Sequence, residues 1–155
     1  MEVTLVEGDL LKQSTDCLVN PWNQNIIPWW LLIPSGVSGA IKQQAGFQPF
    51  IELGKLGPIP LGNAVVTSAG RLPFKCLVHV VSINMLWRAS EYSIRNSVLN
   101  AMKLAEQASL RSIAFPILGA GAGGFNAGKA ESLMLEAFHQ LNSPVQVTLV
   151  RYKKD

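Results

Sequence analysis

Residues 111–125 constrain this chain more than any other stretch. A short apolar run at 112–115 opens into a loop with glycine at positions 119, 121, 123 and 124, and a helical segment begins near Asn126. The glycines let the backbone adopt positive φ and let a bulky ligand approach the main chain. The helix end directs free N–H groups and a positive dipole end outward. The pattern predicts a strand followed by a phosphate-binding loop, with a flexible surface turn as the alternative.

This loop follows neither of the two best-known phosphate-binding patterns. It has no Gly-Lys-Ser/Thr ending that would place a lysine on phosphate and a hydroxyl on Mg²⁺. It also has no acidic residue about 20 positions downstream, on a second strand, to hold a ribose. Taken alone, the glycine pattern therefore gives little support to ATP or NAD binding.

Length and composition predict one domain covering residues 1–155. Of the 155 residues, 48% are apolar and 15% are charged, which is enough to form a substantial core. The net charge of +3 suits an anionic small ligand and does not by itself indicate a nucleic-acid groove. Two cysteines and two distant histidines provide no zinc-ligand spacing, so we expect no metal site and no disulfide. We also expect no cofactor.

The sequence contains no recognisable targeting or membrane segment. Residues 1–7 lack the basic and long apolar regions of a signal peptide. The longest apolar patch, at residues 26–33, contains Pro28 and is too short to span a bilayer. We therefore expect a cytoplasmic protein that does not contact membranes.

Apolar periodicity predicts an alternating α/β chain. Strands are predicted at residues 2–6, 16–20, 64–68, 76–82, 112–115 and 145–152, and helices at 35–46, at 47–56, after Ser90 and at 127–141. This order predicts a three-layer α/β/α fold with a mixed sheet of about six strands. Ligands of such folds bind outside the carboxyl ends of the strands, so residues 8–9, 20–39 and 119–125 should meet at one cleft.

Three further features bear on a site, and each has two interpretations. Asp9 directly follows the first predicted strand, where a carboxylate either accepts hydrogen bonds from a ligand amino group or caps a turn. Residues 21–34 contain three tryptophans and three prolines, which predicts an irregular apolar lid over a cleft or, alternatively, a core plug. His79 lies within an apolar strand, where a satisfied core histidine is more common than a catalytic one.

Six motifs occur along the chain in a definite order: GDL at 8–10, VNPWN at 19–23, SGVSGAI at 35–41, GNAVVT at 62–67, LVH at 77–79 and IAFPILGAGAGGF at 113–125. Taken together, they resemble the successive signatures of a macrodomain, the ADP-ribose-binding module. The resemblance covers nearly the whole chain in the correct order, which is more specific than any one glycine pattern. It implies a mixed six-stranded sheet between helices and a cleft for ADP-ribose.

The resemblance also implies roles for individual residues. Asp9 would accept a hydrogen bond from the adenine amino group, with Leu10 beside it, and Tyr152 would stack on the adenine. Asn23 would face the distal ribose, whose C1″ carries the attached group. Two loops would wrap the diphosphate through backbone N–H groups: Ser35, Gly36 and Val37 in the first, and Gly119, Ala120, Gly121, Ala122, Gly123, Gly124 and Phe125 in the second.

The sequence departs from the family's best-known hydrolytic branch. That branch has a pattern like Gly-Gly-Gly-Val-Asp-Gly, whereas this chain has Ser38 in place of the aspartate. A serine of ordinary pKa cannot replace a carboxylate base. The paired glutamates of the poly(ADP-ribose)-cleaving branch and the reactive lysine of a third branch are also missing. Hydrolysis would then rest on a water positioned by Asn23 and the substrate phosphate, with Ser38, His79 and Arg88 as further candidates.

The resemblance therefore predicts an ADP-ribose-binding protein that hydrolyses mono-ADP-ribosyl groups from a modified macromolecule. The alternative is a non-catalytic reader or metabolite-binding module. The expected partners are ADP-ribose or a mono-ADP-ribosylated protein or nucleic acid, and we expect a monomer. The tryptophan-rich residues 22–34 resemble an insertion of a bacterial macrodomain subgroup. RNA binding in the same cleft is a third possibility, but aromatic residues alternating with basic ones are missing.

Overall fold

The computed structural model describes residues 1–24, 36–121 and 123–153. Within them the chain forms six strands and four helices, with a short 3₁₀ turn at Leu10–Lys12. The predicted order of elements is confirmed, with ends shifted by a few residues. The elements are β1 (Val3–Gly8), β2 (Cys17–Asn23), α1 (Gly36–Ala45), α2 (Gln48–Lys55), β3 (Ala64–Thr67), β4 (Cys76–Ile83), α3 (Glu91–Gln107), β5 (Ser112–Pro116), α4 (Ala127–His139) and β6 (Gln146–Tyr152).

The six strands form one mixed sheet in the order β1-β6-β5-β2-β4-β3. All neighbouring strands are parallel except β3, which is antiparallel to β4. Because β1, β6, β5 and β2 run in the same direction, their carboxyl ends meet at one edge of the sheet. The sequence predicts the cleft at this edge.

Two apolar clusters, one on each face, hold the helices against the sheet. On one face α1 and α2 pack Ile41 and Phe50 against the sheet beside Leu77. On the other face α3 and α4 pack Ile94 and Phe138 against strand residues of opposite parity. The predicted three-layer α/β/α fold with a six-stranded mixed sheet is confirmed.

Strand β2 extends further than its sequence suggests. The expectation of an irregular segment from Pro21 onward is wrong for Pro21, Trp22 and Asn23, which belong to β2. Pairing of β2 with β5 ends at Leu18, so beyond that residue a proline interrupts no hydrogen bond on the β5 side. Trp22 packs its ring 5.5 Å from that of Phe50, so the core interpretation applies to this tryptophan. Trp29, Trp30 and the predicted lid lie outside the described residues.

Helix starts follow the sequence where they are described. Ser90 caps α3 as predicted, and it forms a reciprocal capping box with Ser93. The side chain of Asn126 accepts a hydrogen bond from the N–H of Lys129 and caps α4. The predicted cap Ser35 is outside the described residues. None of the helices in the described part of the chain is long and apolar enough to cross a membrane.

Candidate functional site

A cleft of about 830 Å³ lies at the edge of the sheet where β1, β6 and β5 end. Its volume falls within the range of small-molecule sites. Five segments contribute to it, and most of its lining is apolar. The lining residues are Gly8, Asp9, Leu10, Leu11, Gly36, Val37, Ala40, Pro116, Ile117, Ala120, Gly121, Ala127, Gly128, Glu131, Val150, Arg151 and Tyr152.

Asp9 lies at the end of the cleft formed by β1. One carboxylate oxygen accepts a hydrogen bond from the N–H of Leu11 at 2.9 Å and so caps the 3₁₀ turn. Asp9 and the buried Leu10 both line the cleft. Tyr152 is paired with Gly8 across β1 and β6, and its largely exposed side chain lies at the rim. The capping interpretation of Asp9 is thus confirmed, and Asp9 also lines the cleft.

The glycine loop divides into residues that fix its shape and residues that face the cleft. Gly119 has a φ of +81°, and its carbonyl accepts a hydrogen bond from the N–H of Phe125 at 2.9 Å. A Cβ on Gly123 would lie 2.7 Å from the carbonyl oxygen of Gly119, so that position has no room for a side chain. Ala120 and Gly121 line the cleft, and a Cβ on Gly121 would meet nothing within 4 Å.

The predicted loop residues therefore have different roles. Four of the loop residues are not among the lining residues, so they fix the shape of the loop on the side away from the cleft: Gly119, Gly123, Gly124 and Phe125. Gly124 has a φ of +65°, which favours glycine there. Ala122 lies outside the described residues.

Two helix N-termini open onto the cleft. Gly36 and Val37 begin α1, and Ala127 and Gly128 begin α4, and all four line the cleft. The first N–H groups of a helix lack partners within the helix, so they are available to an anion. Gly36 adopts a φ of +59°, a conformation that a residue with a side chain rarely takes. Together with Ala120 and Gly121, these helix ends make the described site suited to phosphate.

Three of the predicted catalytic residues do not line the cleft. Asn23 and Ser38 are buried, at the end of β2 and in the first turn of α1. Among the described residues, the Ser38 hydroxyl has no hydrogen-bond partner. Arg88 is exposed, and its Nη1 lies 3.2 Å from the position that a Cβ on Gly124 would occupy. Arg88 therefore lies against the glycine loop without lining the cleft.

The fourth predicted catalytic residue, His79, is a core residue. Its Nδ1 accepts a hydrogen bond from Asn20 at 2.9 Å, and its Nε2 donates to the Thr67 hydroxyl at 2.7 Å. Burial lowers the pKa of His79 to about 3, and the attraction of Glu52 opposes this shift only in part. The ring is fully buried and does not line the cleft, so it cannot touch a substrate there. The core interpretation is confirmed, and direct catalysis by His79 is not supported.

The cleft also contains an ion pair that the sequence does not predict. The Glu131 carboxylate accepts hydrogen bonds from Nε and Nη2 of Arg151, at 2.6 and 2.9 Å. This bidentate contact lowers the pKa of Glu131, more than partial burial raises it. Glu131 lies in α4 and Arg151 in β6, 20 positions apart, so no local motif indicates the pair. The sequence indicates the position of Arg151 only through the prediction that β6 ends at the same edge of the sheet as β1 and β5.

The described residues offer no metal centre, because they contain no group of three or more His, Cys, Asp or Glu side chains able to hold an ion. The charged lining residues are Asp9, Glu131 and Arg151. Backbone groups, these three side chains and the phenol of Tyr152 are thus polar groups that line the described part of the cleft.

Comparison with known proteins places this architecture in a family. The family model for the Macro domain matches residues 19–134. The chain belongs to the Macro domain family. A macro domain-containing protein of Listeria monocytogenes is 37% identical over 133 residues, covering 81% of this macro domain and 72% of that protein.

Two further relatives carry information on ligands. A protein of Escherichia fergusonii named O-acetyl-ADP-ribose deacetylase is 29% identical, over 99% of this macro domain and 89% of its own length. A solved structure of an Oceanobacillus iheyensis macrodomain mutant with ADPR has a TM-score of 0.83 and 26% identity. That match covers 95% of this macro domain and 83% of the other chain. The predicted family is confirmed; most of the tryptophan-rich insertion lies outside the described residues.

Proposed function

We propose that this macro domain binds ADP-ribose in the cleft. The observation that carries the proposal is the convergence of Asp9, the glycine loop and the α1 N-terminus on one site of about 830 Å³. A carboxylate at one end suits the amino group of adenine, and the loop and helix N–H groups suit a diphosphate. The relative solved with ADPR supports this assignment.

The strand order supports one orientation of the ligand. Along the sheet edge, β1 is followed by β6, β5 and β2. Asp9 follows β1, the glycine loop follows β5, and Asn23 ends β2. We assign adenine to Asp9, the diphosphate to the glycine loop and α1, and the distal ribose to the side of Asn23.

Calorimetric titration with ADP-ribose tests the binding function. The wild-type chain should give a saturable, one-to-one binding heat. Gly121→Leu should remove it, because the new side chain would occupy the diphosphate position while meeting no protein atom within 4 Å at its Cβ. An unchanged thermal midpoint of that variant is the folding control. Equal affinity of the two proteins would refute the placement of the diphosphate.

Hydrolysis of mono-ADP-ribosyl groups is the second candidate function. It is supported only as a reaction class, because the relative named O-acetyl-ADP-ribose deacetylase, which aligns over 99% of this chain, is named for hydrolysis of an acetyl ester on ADP-ribose. In hydrolysis of a mono-ADP-ribosyl group, water would attack C1″, the bond from C1″ to the macromolecule would break, and a proton equivalent to the one lost by the water would pass to the leaving oxygen. Asn23 is the described residue assigned to orienting that water.

The described residues favour binding over turnover at the distal ribose. The carboxylates among the described lining residues are those of Asp9, which follows β1, and of Glu131 in α4, which is paired with Arg151 of β6. Ser38, which stands where the hydrolytic branch has an aspartate, is buried outside the described lining, and its hydroxyl cannot serve as a carboxylate base. A non-catalytic reader of ADP-ribosylated macromolecules is therefore the main alternative. Release of ADP-ribose from a glutamate-modified protein distinguishes the two, since a reader binds that substrate without releasing it.

A further inference from the structure

The Glu131–Arg151 pair is built as a fixed recognition element within the cleft. Both side chains line the cleft, and the two contacts between them are short, at 2.6 and 2.9 Å. The Glu131 side chain is only 19% exposed, so its carboxylate is held in one orientation against the wall. A bidentate pair of this kind fixes geometry as well as charge.

The Glu131 carboxylate retains capacity for a ligand. An ionised carboxylate has about four acceptor sites. Arg151 uses one on each oxygen, since Nε contacts Oε1 and Nη2 contacts Oε2. One acceptor position therefore remains on each oxygen. Two neighbouring hydroxyl groups on one face of a sugar ring match this arrangement.

The strand order places the pair between the two ends of the ligand assigned above. β6 lies between β1, which leads to Asp9, and β5, which leads to the glycine loop. Arg151 belongs to β6, and Glu131 lies one turn beyond the start of α4, which follows the glycine loop. In ADP-ribose, the group between adenine and diphosphate is the adenosine ribose. In the assigned orientation, its 2′- and 3′-hydroxyls therefore lie beside Glu131 along the sheet edge.

We infer that the Glu131–Arg151 pair recognises the adenosine ribose, with Glu131 accepting hydrogen bonds from the 2′- and 3′-hydroxyls. The inference rests on the proposed binding of ADP-ribose. It makes Glu131 a specificity residue that selects ligands with a free 2′-hydroxyl. A 2′-phosphate would lose one hydrogen bond and bring a second anion against the carboxylate, while the charge of Arg151 is already compensated by Glu131.

Competition between two nucleotides tests this specificity. Wild-type protein should bind ADP-ribose about tenfold more tightly than ADP-ribose carrying a 2′-phosphate, corresponding to about 1.4 kcal/mol. Glu131→Gln should bring the two affinities within about threefold of each other, because the repelling charge is lost and Arg151 becomes available to phosphate. The ligand lacking the 2′-hydroxyl of the adenosine ribose tests the same contact without mutation, and wild-type protein should bind it about tenfold more weakly.

Glu136→Gln is the matched control. Glu136 lies on the same helix and forms an ion pair with Arg95 at 2.9 Å, but it does not line the cleft. This variant should keep the wild-type preference between the two nucleotides. An unchanged preference in Glu131→Gln, or wild-type protein that binds the 2′-phosphorylated ligand as tightly, would overturn the inference while leaving ADP-ribose binding intact. Wild-type protein that binds no ADP-ribose would instead overturn the proposed function itself.

Discussion

His79 makes the stability of the fold depend on pH. The imidazole is fully buried, accepts from Asn20 and donates to Thr67, and its ring lies edge-on at 6.0 Å from that of Phe50. Burial lowers its pKa from 6.5 to about 3, with only partial opposition from Glu52. The folded protein therefore keeps this ring neutral at pH values where the unfolded chain takes up a proton.

The size of the effect follows from the two pKa values. Between pH 6.5 and about 3, the unfolded state binds more protons than the folded state, so the free energy of unfolding falls as the pH is lowered. Each pH unit within that window changes the free energy of unfolding by about 1.4 kcal/mol. From pH 7 to pH 5 the loss is about 2 kcal/mol. Below pH 5 the carboxyls of Asp16 and Glu131, whose pKa values are lowered in the fold, add their own losses.

Urea denaturation followed by tryptophan fluorescence at pH 5, 6 and 7 measures this loss. His79→Gln removes the titrating group and should flatten the dependence between pH 5 and 7, even if its stability at pH 7 is lower. His139→Gln is the matched control, because it removes the other histidine, which is exposed at the end of α4. Wild-type protein with equal stability at pH 7 and pH 5, or an undiminished loss in His79→Gln, would refute the reasoning.

Three further predictions concern the cleft and its surroundings. Gly121→Leu should lower ADP-ribose affinity by more than about 100-fold with little change in melting temperature. Gly123→Ala should lower the free energy of unfolding by about 1–3 kcal/mol, because its Cβ would lie 2.7 Å from a carbonyl oxygen. Equal melting temperatures of the two variants would contradict this difference. Ser38→Ala should leave the free energy of unfolding unchanged or raise it by about 1 kcal/mol, since a buried hydroxyl without a partner among the described residues is removed; a clear loss in urea denaturation would show that the hydroxyl is paired. If the wild-type protein releases ADP-ribose from a modified protein, Asn23→Ala should reduce that release by about 100-fold while changing affinity by less than about threefold. Loss of binding in calorimetry would show that Asn23 holds the ligand instead.

Local patterns predicted the elements, and pairings across the sheet explain where the prediction failed. Alternation and caps are local, so the strands and the Ser90 cap could be read from the sequence. Pro21 was expected to end β2, but whether a proline breaks a strand depends on which neighbour its nitrogen faces. Here the β5 pairing had already ended at Leu18. That information lies in the register of distant segments and not in the residues around the proline.

The candidate site likewise contains residues that local motifs predict and residues that only the pairing of distant segments brings together. Asp9 and Gly121 follow strands and belong to recognisable motifs, and both line the cleft. Glu131 of α4 and Arg151 of β6 belong to no motif. They meet at the cleft because β6 lies beside β5, the strand that leads into the glycine loop and α4. His79 was ambiguous because an apolar strand surrounds both core and catalytic histidines, and only its burial decides between them.

Calorimetric titration of ADP-ribose into the wild-type chain and into Gly121→Leu tests the central claim most directly. The account predicts one-to-one binding by the wild-type protein and loss of that binding by a variant that remains folded. No binding heat with the wild-type protein, or equal affinities of the two proteins, would contradict the assignment of this cleft to ADP-ribose.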